Sequence, residues 1–299
     1  MIEQNIRIFR TAAATLNFTE AAAMLGMTQP NVTQQLAKLE RELHVMLFAR
    51  NGRAVELTPA GRALLEECDR LFALENDILR KVRSAEEGKQ SFTLGGTMTA
   101  GSFLLIGMNA AFQHSHPNFS LNLQIGSLPA LQRRLAAGEL ELILTEDPYD
   151  RRHYLSEPYC TDRLIPVFAP GYIRRKTLSL GDYIRCGGKF ILNGTGTGAH
   201  FAFTRFLREH DLPEPGAGTV TEAGGLEAVK QLVQSGAGVS ILSELAVENE
   251  LKAGILRTCA FSEGEICRTV DFIYLPVGRQ RFIQDFIRFC RKHKGLSLH

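Results

Sequence analysis

The sequence predicts an N-terminal all-α winged helix-turn-helix with a long linker helix, followed by a C-terminal α/β region. The first 60 residues hold short helical patterns and little strand character. Residues 58–87 then form one long helical pattern, which Glu86-Glu87-Gly88-Lys89-Gln90-Ser91 ends as a polar hinge with a glycine. From Phe92 onward short apolar runs alternate with amphipathic helical stretches. The runs at 92–94, 121–125, 140–144, 164–168, 190–192 and 239–242 read as strands, and such alternation argues largely parallel sheets. This region is long enough for one domain or two small ones.

Composition narrows the class. With 299 residues, 44% apolar and 22% charged, the chain can bury one large core or several smaller ones and is not a disordered segment. No run approaches the ~18 apolar residues of a membrane span. The start, Met1-Ile2-Glu3, has an early acid and no apolar run after it, so no secretory signal is read there. Six scattered cysteines without a Cys-x-x-Cys pair predict reduced thiols, not a disulfide framework or a zinc knuckle. The expected compartment is the cytoplasm. A net charge of +2 is too small to argue nucleic-acid binding by itself, so DNA binding must be argued from where the basic residues sit.

Ile6, Phe9, Ala13 and Leu16 mark one face of a first helix. Thr19 can cap a second helix, carrying Ala22, Ala23 and Leu25, and Gly26 suits the left-handed position that ends it. Thr28 can cap a third, with Pro30 in its first turn, where the missing N–H costs nothing. This is the helix-turn-helix pattern. On the third helix Val32, Leu36, Leu39 and Leu43 should be buried, while Asn31, Gln34, Lys38 and Arg41 cluster on the opposite side. Amides there can read base edges, and the cations can neutralise phosphate or contact guanine. An ordinary solvated face has the same composition. The next segment tips the balance: Asn51-Gly52 is the favoured two-residue hairpin turn, set between short extended runs with Arg50 and Arg53 flanking its tip. A helix-turn-helix followed by such a hairpin is a winged helix.

The run Thr28-Gln29-Pro30-Asn31-Val32-Thr33-Gln34-Gln35-Leu36, then Leu39-Glu40, Leu43, Leu47-Phe48, Arg50, Arg53 and Leu57-Thr58-Pro59-Ala60-Gly61, resembles the N-terminal signature of LysR-type transcriptional regulators. The match runs without a gap. Asn31 stands where the family usually has alanine, and His44 where it usually has glycine. Histidine tolerates a left-handed cap better than a β-branched residue does. The resemblance implies double-stranded DNA as partner, contacted by Thr28, Gln29, Pro30, Asn31, Thr33, Gln34, Lys38, Arg50 and Arg53.

Thr58 and Pro59 open the long helix with a cap and a first-turn proline. Leu64, Cys68, Leu71, Ile78 and Val82 lie on one stripe, interrupted by Glu75, and Leu65, Phe72 and Leu79 repeat beside it. A helix ~45 Å long outreaches a winged-helix core, so a partner helix is expected. Packing on the chain's own C-terminal domain is the alternative. The resemblance implies a homodimer through this helix, assembled further into a homotetramer.

A weaker resemblance continues through Gly126-Ser127, Gly138-Glu139-Leu140, Glu157-Pro158-Tyr159 and residues 226–242. It implies two Rossmann-like subdomains resembling type 2 periplasmic binding proteins, with a cleft between them. The implied layout is 1–58 for the winged helix, 59–90 for the linker helix and hinge, and 91–299 for an effector-binding domain. Subdomain I would span about 91–162 and 268–299, and subdomain II about 163–267.

Two segments point to a ligand without the family. Gly95-Gly96-Thr97-Met98-Thr99-Ala100-Gly101-Ser102 and Asn193-Gly194-Thr195-Gly196-Thr197-Gly198-Ala199-His200 each follow a strand and open a helix. Free N–H groups, a favourable dipole and hydroxyls suit an anion there, at the strand end where open α/β sheets bind ligands. Tight turns with helix caps would look alike, but two such loops favour a cleft site. Thr145 holds the same place after its own strand. Placed on the family's pattern, Thr97, Met98, Thr99, Ser102, Ser127, Thr145, Thr195, Thr197 and Thr221 line an effector pocket. Neither loop contains an acid, so a small polar or anionic effector is expected; Glu146 and Asp147 count against an anion if they face inward.

Neither loop ends in a phosphate-binding Gly-Lys-Ser/Thr, and no histidines pair at metal spacing. No catalytic residue, cofactor or metal is expected. His114 and His116 read as solvated, Arg174-Arg175-Lys176 as an exposed loop end and Cys186 as inert. The sequence therefore reads as a homo-oligomeric DNA-binding regulator with a sensing domain and no membrane partner. One rival is a small-molecule binding protein or enzyme with a docking N-terminus, disfavoured by the arginine wing. The other is an effector-independent architectural DNA binder, disfavoured by the two Gly/Thr loops.

Overall fold

The computed structural model describes residues 4–51, 54–87, 90–276, 278 and 280–293. Helices Gln4–Thr15, Phe18–Leu25 and Gln29–Leu43 pack around Ile8, Phe9, Ala21, Val32, Leu36 and Leu39. Phe48 closes this core edge-on to Phe18, with ring centroids 5.1 Å apart. The second helix is capped by Asn17 and not Thr19. The Asn17 side chain accepts from the Thr19 and Glu20 amides, the orphan donors of a first turn. Gly26 and His44 both take the left-handed conformation, at φ 64° and 54°. Leu43, expected in the core, is 43% exposed. It is the last residue of its helix, and the chain turns at His44 before another helical turn can cover it.

The strands Phe48–Asn51 and Ala54–Leu57 pair antiparallel as a hairpin. Thr58 joins it to the linker helix Pro59–Glu87: its hydroxyl donates to the Met46 carbonyl (2.7 Å) and accepts from the Gly61 amide (3.0 Å). A Cβ on Gly61 would lie 2.1 Å from the Leu47 carbonyl oxygen, so only glycine lets the helix sit this close. Arg7 pairs with Glu75 and Arg10 with Asp69, at 2.7 and 2.8 Å, and both guanidinium groups lie over the Phe72 ring. Further along, Asn76 donates to the Ala137 carbonyl, and Gly138 backs onto Ala73 with no room for a Cβ. The linker helix thus packs on its own chain on one side. Cys68 and Phe72 are buried there, whereas Leu71, Leu74, Ile78, Leu79 and Val82 are between 43% and 62% exposed. The stripe read from the sequence is therefore two faces, one used within the chain and one left open.

In the C-terminal region one sheet runs in the spatial order Ser240–Ser243, Leu155–Phe168, Ile266–Tyr274, Leu142–Thr145, Gln90–Gly96, Phe119–Ile125. The last three are mutually parallel. The two long central strands are antiparallel along their length, so the sheet is mixed and not largely parallel. The chain leaves one core along Leu155–Phe168 and returns along Ile266–Tyr274, and such a pair must be antiparallel. Phe92, Leu94, Phe112, Leu142, Phe272 and Phe286 centre the first core; Leu164, Phe168, Phe190, Phe203, Phe206 and Ile241 centre the second. Beside the second, Phe190–Asn193 pairs parallel with Val220–Ala223. His116, expected in solvent, is half-buried and stacks on Phe112 at 4.2 Å. Among the described residues no helix is long and apolar enough to cross a membrane, and no group of His, Cys, Asp and Glu could hold a metal ion.

Candidate nucleic-acid interface and effector cleft

Burial of Val32, Leu36 and Leu39 fixes the rotation of the helix Gln29–Leu43. Thr28, Gln29, Pro30, Asn31, Gln34, Lys38 and Arg41 are then exposed. Gln29 donates to the Thr33 hydroxyl at 2.8 Å, and Lys38 lies 3.7 Å from Glu42, one turn on. Sequence reasoning missed the role of Glu40. Its carboxylate accepts from the Leu47 and Phe48 amides, at 2.8 and 3.2 Å, and so ties the base of the hairpin to this helix. Arg53 lies outside the described residues, as does the Arg50 side chain.

The two Gly/Thr loops behave differently. At the first, the helix begins at Met98 with Thr97 before it, but its amides are not free. Glu146 turns inward and accepts from the Thr99 and Ala100 amides, each at 3.1 Å, and from the Thr97 hydroxyl. Thr97 and Thr145 are buried, with their hydroxyls 3.4 Å apart. At the second loop Thr197 caps the helix Gly198–Glu209, accepting from the His200 amide. The Gly198 amide donates to Asp147 Oδ1 at 2.6 Å. Strand Leu142–Thr145 belongs to the first core and this helix to the second, so the Asp147 contact joins the two.

Arg268, which nothing in the sequence singled out, supports both acids. It lies on strand Ile266–Tyr274, pairs with Asp162 at 2.8 Å, reaches Thr99 Oγ1 at 3.3 Å and stands 3.9 Å from Glu146. Asp162 also accepts from Ser243 at 2.6 Å. Burial pushes the Asp162 carboxyl above the usual carboxylate range, against the pull of Arg268 and Ser243. Burial, then the adjacent Glu146 charge, raises Asp147 to about 6, with the Gly198 N–H and Arg268 opposing.

Thr97, Thr99 and Thr145 are therefore brought together at the acids, and Thr197 caps the helix that Asp147 meets. Met98, Ser127, Thr195 and Thr221 are exposed and Ser102 half-buried, and no described hydrogen bond draws their side chains into this network. Because the Thr97 hydroxyl serves Glu146, Thr97→Val should lower stability by ~1–3 kcal/mol through a buried acceptor short of one donor. The denaturant midpoint at constant m-value measures this; an unchanged midpoint would show that the hydroxyl does not hold Glu146. A separate groove of about 1030 Å³ is lined by Phe92, Phe112, Phe119, Phe282 and Phe289. It includes Gln90, at the opposite end of its strand from Thr97, whereas open α/β sheets take ligands at the carboxyl ends of strands.

Residues 4–62 match the model of the bacterial regulatory helix-turn-helix proteins of the lysR family, and residues 85–295 match that of the LysR substrate binding domain. The chain belongs to the LysR family of transcriptional regulators. This LysR-type protein is a DNA-binding regulator with an effector-binding domain, and its relatives are regulators and not enzymes. It is 29% identical over 279 residues to a probable RuBisCO transcriptional regulator of Synechocystis sp., covering 91% of this chain and 80% of that one. A Cyanophora paradoxa protein of the same description is 27% identical over 281 residues, with 91% and 86% covered. Among solved structures, ArgP from Mycobacterium tuberculosis superposes with a TM-score of 0.64 at 16% identity, covering 99% of both chains. Full-length CbnR complexed with its target DNA gives 0.57 at 20% identity, covering 98% of this chain and 99% of that one. These likenesses carry the fold.

Proposed function

We propose that this regulator reads a specific double-stranded DNA site through Thr28, Gln29, Pro30, Asn31, Thr33, Gln34 and Lys38, with Arg50 and Arg53 of the wing on the backbone or minor groove. It acts as a homodimer through the linker helix, assembled further into a tetramer. A small polar or anionic effector binds between subdomain I (about 91–162 and 268–299) and subdomain II (about 163–267). The observation that carries the DNA reading is the exposed polar face opposite Val32, Leu36 and Leu39. The second loop carries the effector reading: its helix N-terminus already holds a carboxylate, the chemistry an anionic effector would bring. Free energy passes from cleft closure through the subunits to the spacing of the winged helices.

Replacing Gln34 with alanine should remove base contacts worth ~1–3 kcal/mol and relax sequence preference. Selection from a randomised operator library, compared between the two chains, reads both effects. Unchanged affinity and selectivity would remove Gln34 from the interface. For the effector, a thermal-shift screen of small carboxylates, phosphate and sulfate should raise the melting temperature, and the Thr197→Val chain should respond less.

A further inference from the structure

Resting on that effector reading, we infer that Asp147 is a tethered anion that holds the cleft shut by occupying the N-terminus of the helix Gly198–Glu209, the place an incoming anionic effector must take. The contact is close: a Cβ on Gly198 would lie 2.4 Å from Asp147 Oδ1, 2.8 Å from Arg268 Nη1 and 2.9 Å from the Glu146 carbonyl oxygen. The helix is 12 residues long, so its first amides carry a substantial dipole. The Gly198 backbone is thus closed off on this side by Asp147, Arg268 and Glu146. Any effector seated on this loop must first part Asp147 from Gly198.

The neighbouring acid is held quite differently. Glu146 receives two amides and a hydroxyl from its own side of the cleft, so it is a fixed part of that wall. Asp147 has one described hydrogen bond from across the cleft. The groups facing it are Glu146 on its own loop, Arg268 on the strand Ile266–Tyr274, and the helix dipole, with His200 in the first helical turn. Burial and the Glu146 charge both work against its ionised form. An incoming anion therefore has one bond to displace at Asp147, against three at Glu146.

The test uses the full chain and sulfate as the probe, at constant ionic strength. Hydrogen exchange is read at the Gly198 amide, the first of the helix, which donates to Asp147 and which the helix does not protect by itself. Asp147→Ala should speed its exchange at least tenfold, and Asp147→Asn, which keeps the shape and an acceptor, should fall between. Sulfate should restore protection in Asp147→Ala at concentrations at least tenfold below those that affect the wild type. Asp150→Asn, whose carboxylate pairs with exposed Arg152, should behave as wild type. Unchanged exchange in both Asp147 variants overturns the latch and leaves the effector reading standing. Faster exchange with equal sulfate midpoints overturns the competition. Faster exchange with no sulfate response in any chain overturns it too, and counts against an anionic effector as well.

Discussion

A chain carrying Leu71→Glu and Ile78→Glu should sediment as a monomer, or as a sharply weakened dimer, and lose ~10²–10⁴ in operator affinity through lost half-site avidity. Leu71, Leu74, Ile78 and Val82 recur at spacings of three and four, each at least 43% exposed, so they form one continuous apolar ridge along the helix Pro59–Glu87. The opposite face is already engaged by Arg7, Arg10, Ala137 and Gly138. Among the described residues nothing of the chain itself covers the ridge. Covering the exposed halves of such side chains against a partner gains about 1 kcal/mol each, whereas two facing pairs of carboxylates would have to be desolvated unpaired. The winged-helix core should melt as before, since neither residue belongs to it. An intact dimer with normal DNA binding would place the subunit contact elsewhere.

Local chemistry made the N-terminal module legible. A first-turn proline and a left-handed glycine each act within a few residues, so Pro30 and Gly26 disclose their geometry in sequence, whereas Thr28 takes the extended cap conformation without a side-chain cap hydrogen bond. The errors there are local as well: Asn17 is the cap because it stands at the non-helical position before the first turn, and Thr19 already lies within the helix. The linker helix shows the limit of periodicity. Spacing says which residues share a face but not whether that face meets its own chain, so Cys68 and Leu71 share one stripe in sequence and end on different sides.

The cleft was half legible. Both Gly/Thr loops stand where strands end and helices begin, as their composition predicts. What occupies them depends on residues far away in sequence. Glu146 meets Thr99, and Asp147 meets Gly198, only because strand Leu142–Thr145 ends between the two helices. Arg268 reaches Asp162 because two crossover strands pair at Arg268 and Asp162 themselves. No short-range pattern encodes that register, and a lone arginine in an alternating strand looks like any solvated one.

Replacing Arg268 with methionine should be the most destabilising single change in the cleft, costing ~3–5 kcal/mol at neutral pH. The side chain is 6% exposed and Asp162 is fully buried, so removal leaves a buried carboxylate with Ser243 but no countercharge. Methionine preserves volume and helps to isolate the electrostatic loss. The deficit should depend on pH with a definite sign. Burial raises the Asp162 carboxyl above its unfolded value even with Arg268 present, and removing the cation raises it further. A group whose folded carboxyl is raised binds its proton more tightly in the native state. Native stability therefore rises as pH falls through the folded value towards the ordinary carboxylate range. Urea midpoints should accordingly show the variant recovering part of its loss between pH 7.5 and pH 5. The double variant Arg268→Met with Asp162→Asn should recover much of it at pH 7.5 without acid, because the buried charge is gone and the amide can still accept from Ser243. Glu146, with its three donors, should stay in place in both. A deficit that is flat with pH, or that the second substitution fails to reduce, would mean that Arg268 acts through packing and not as the countercharge of Asp162.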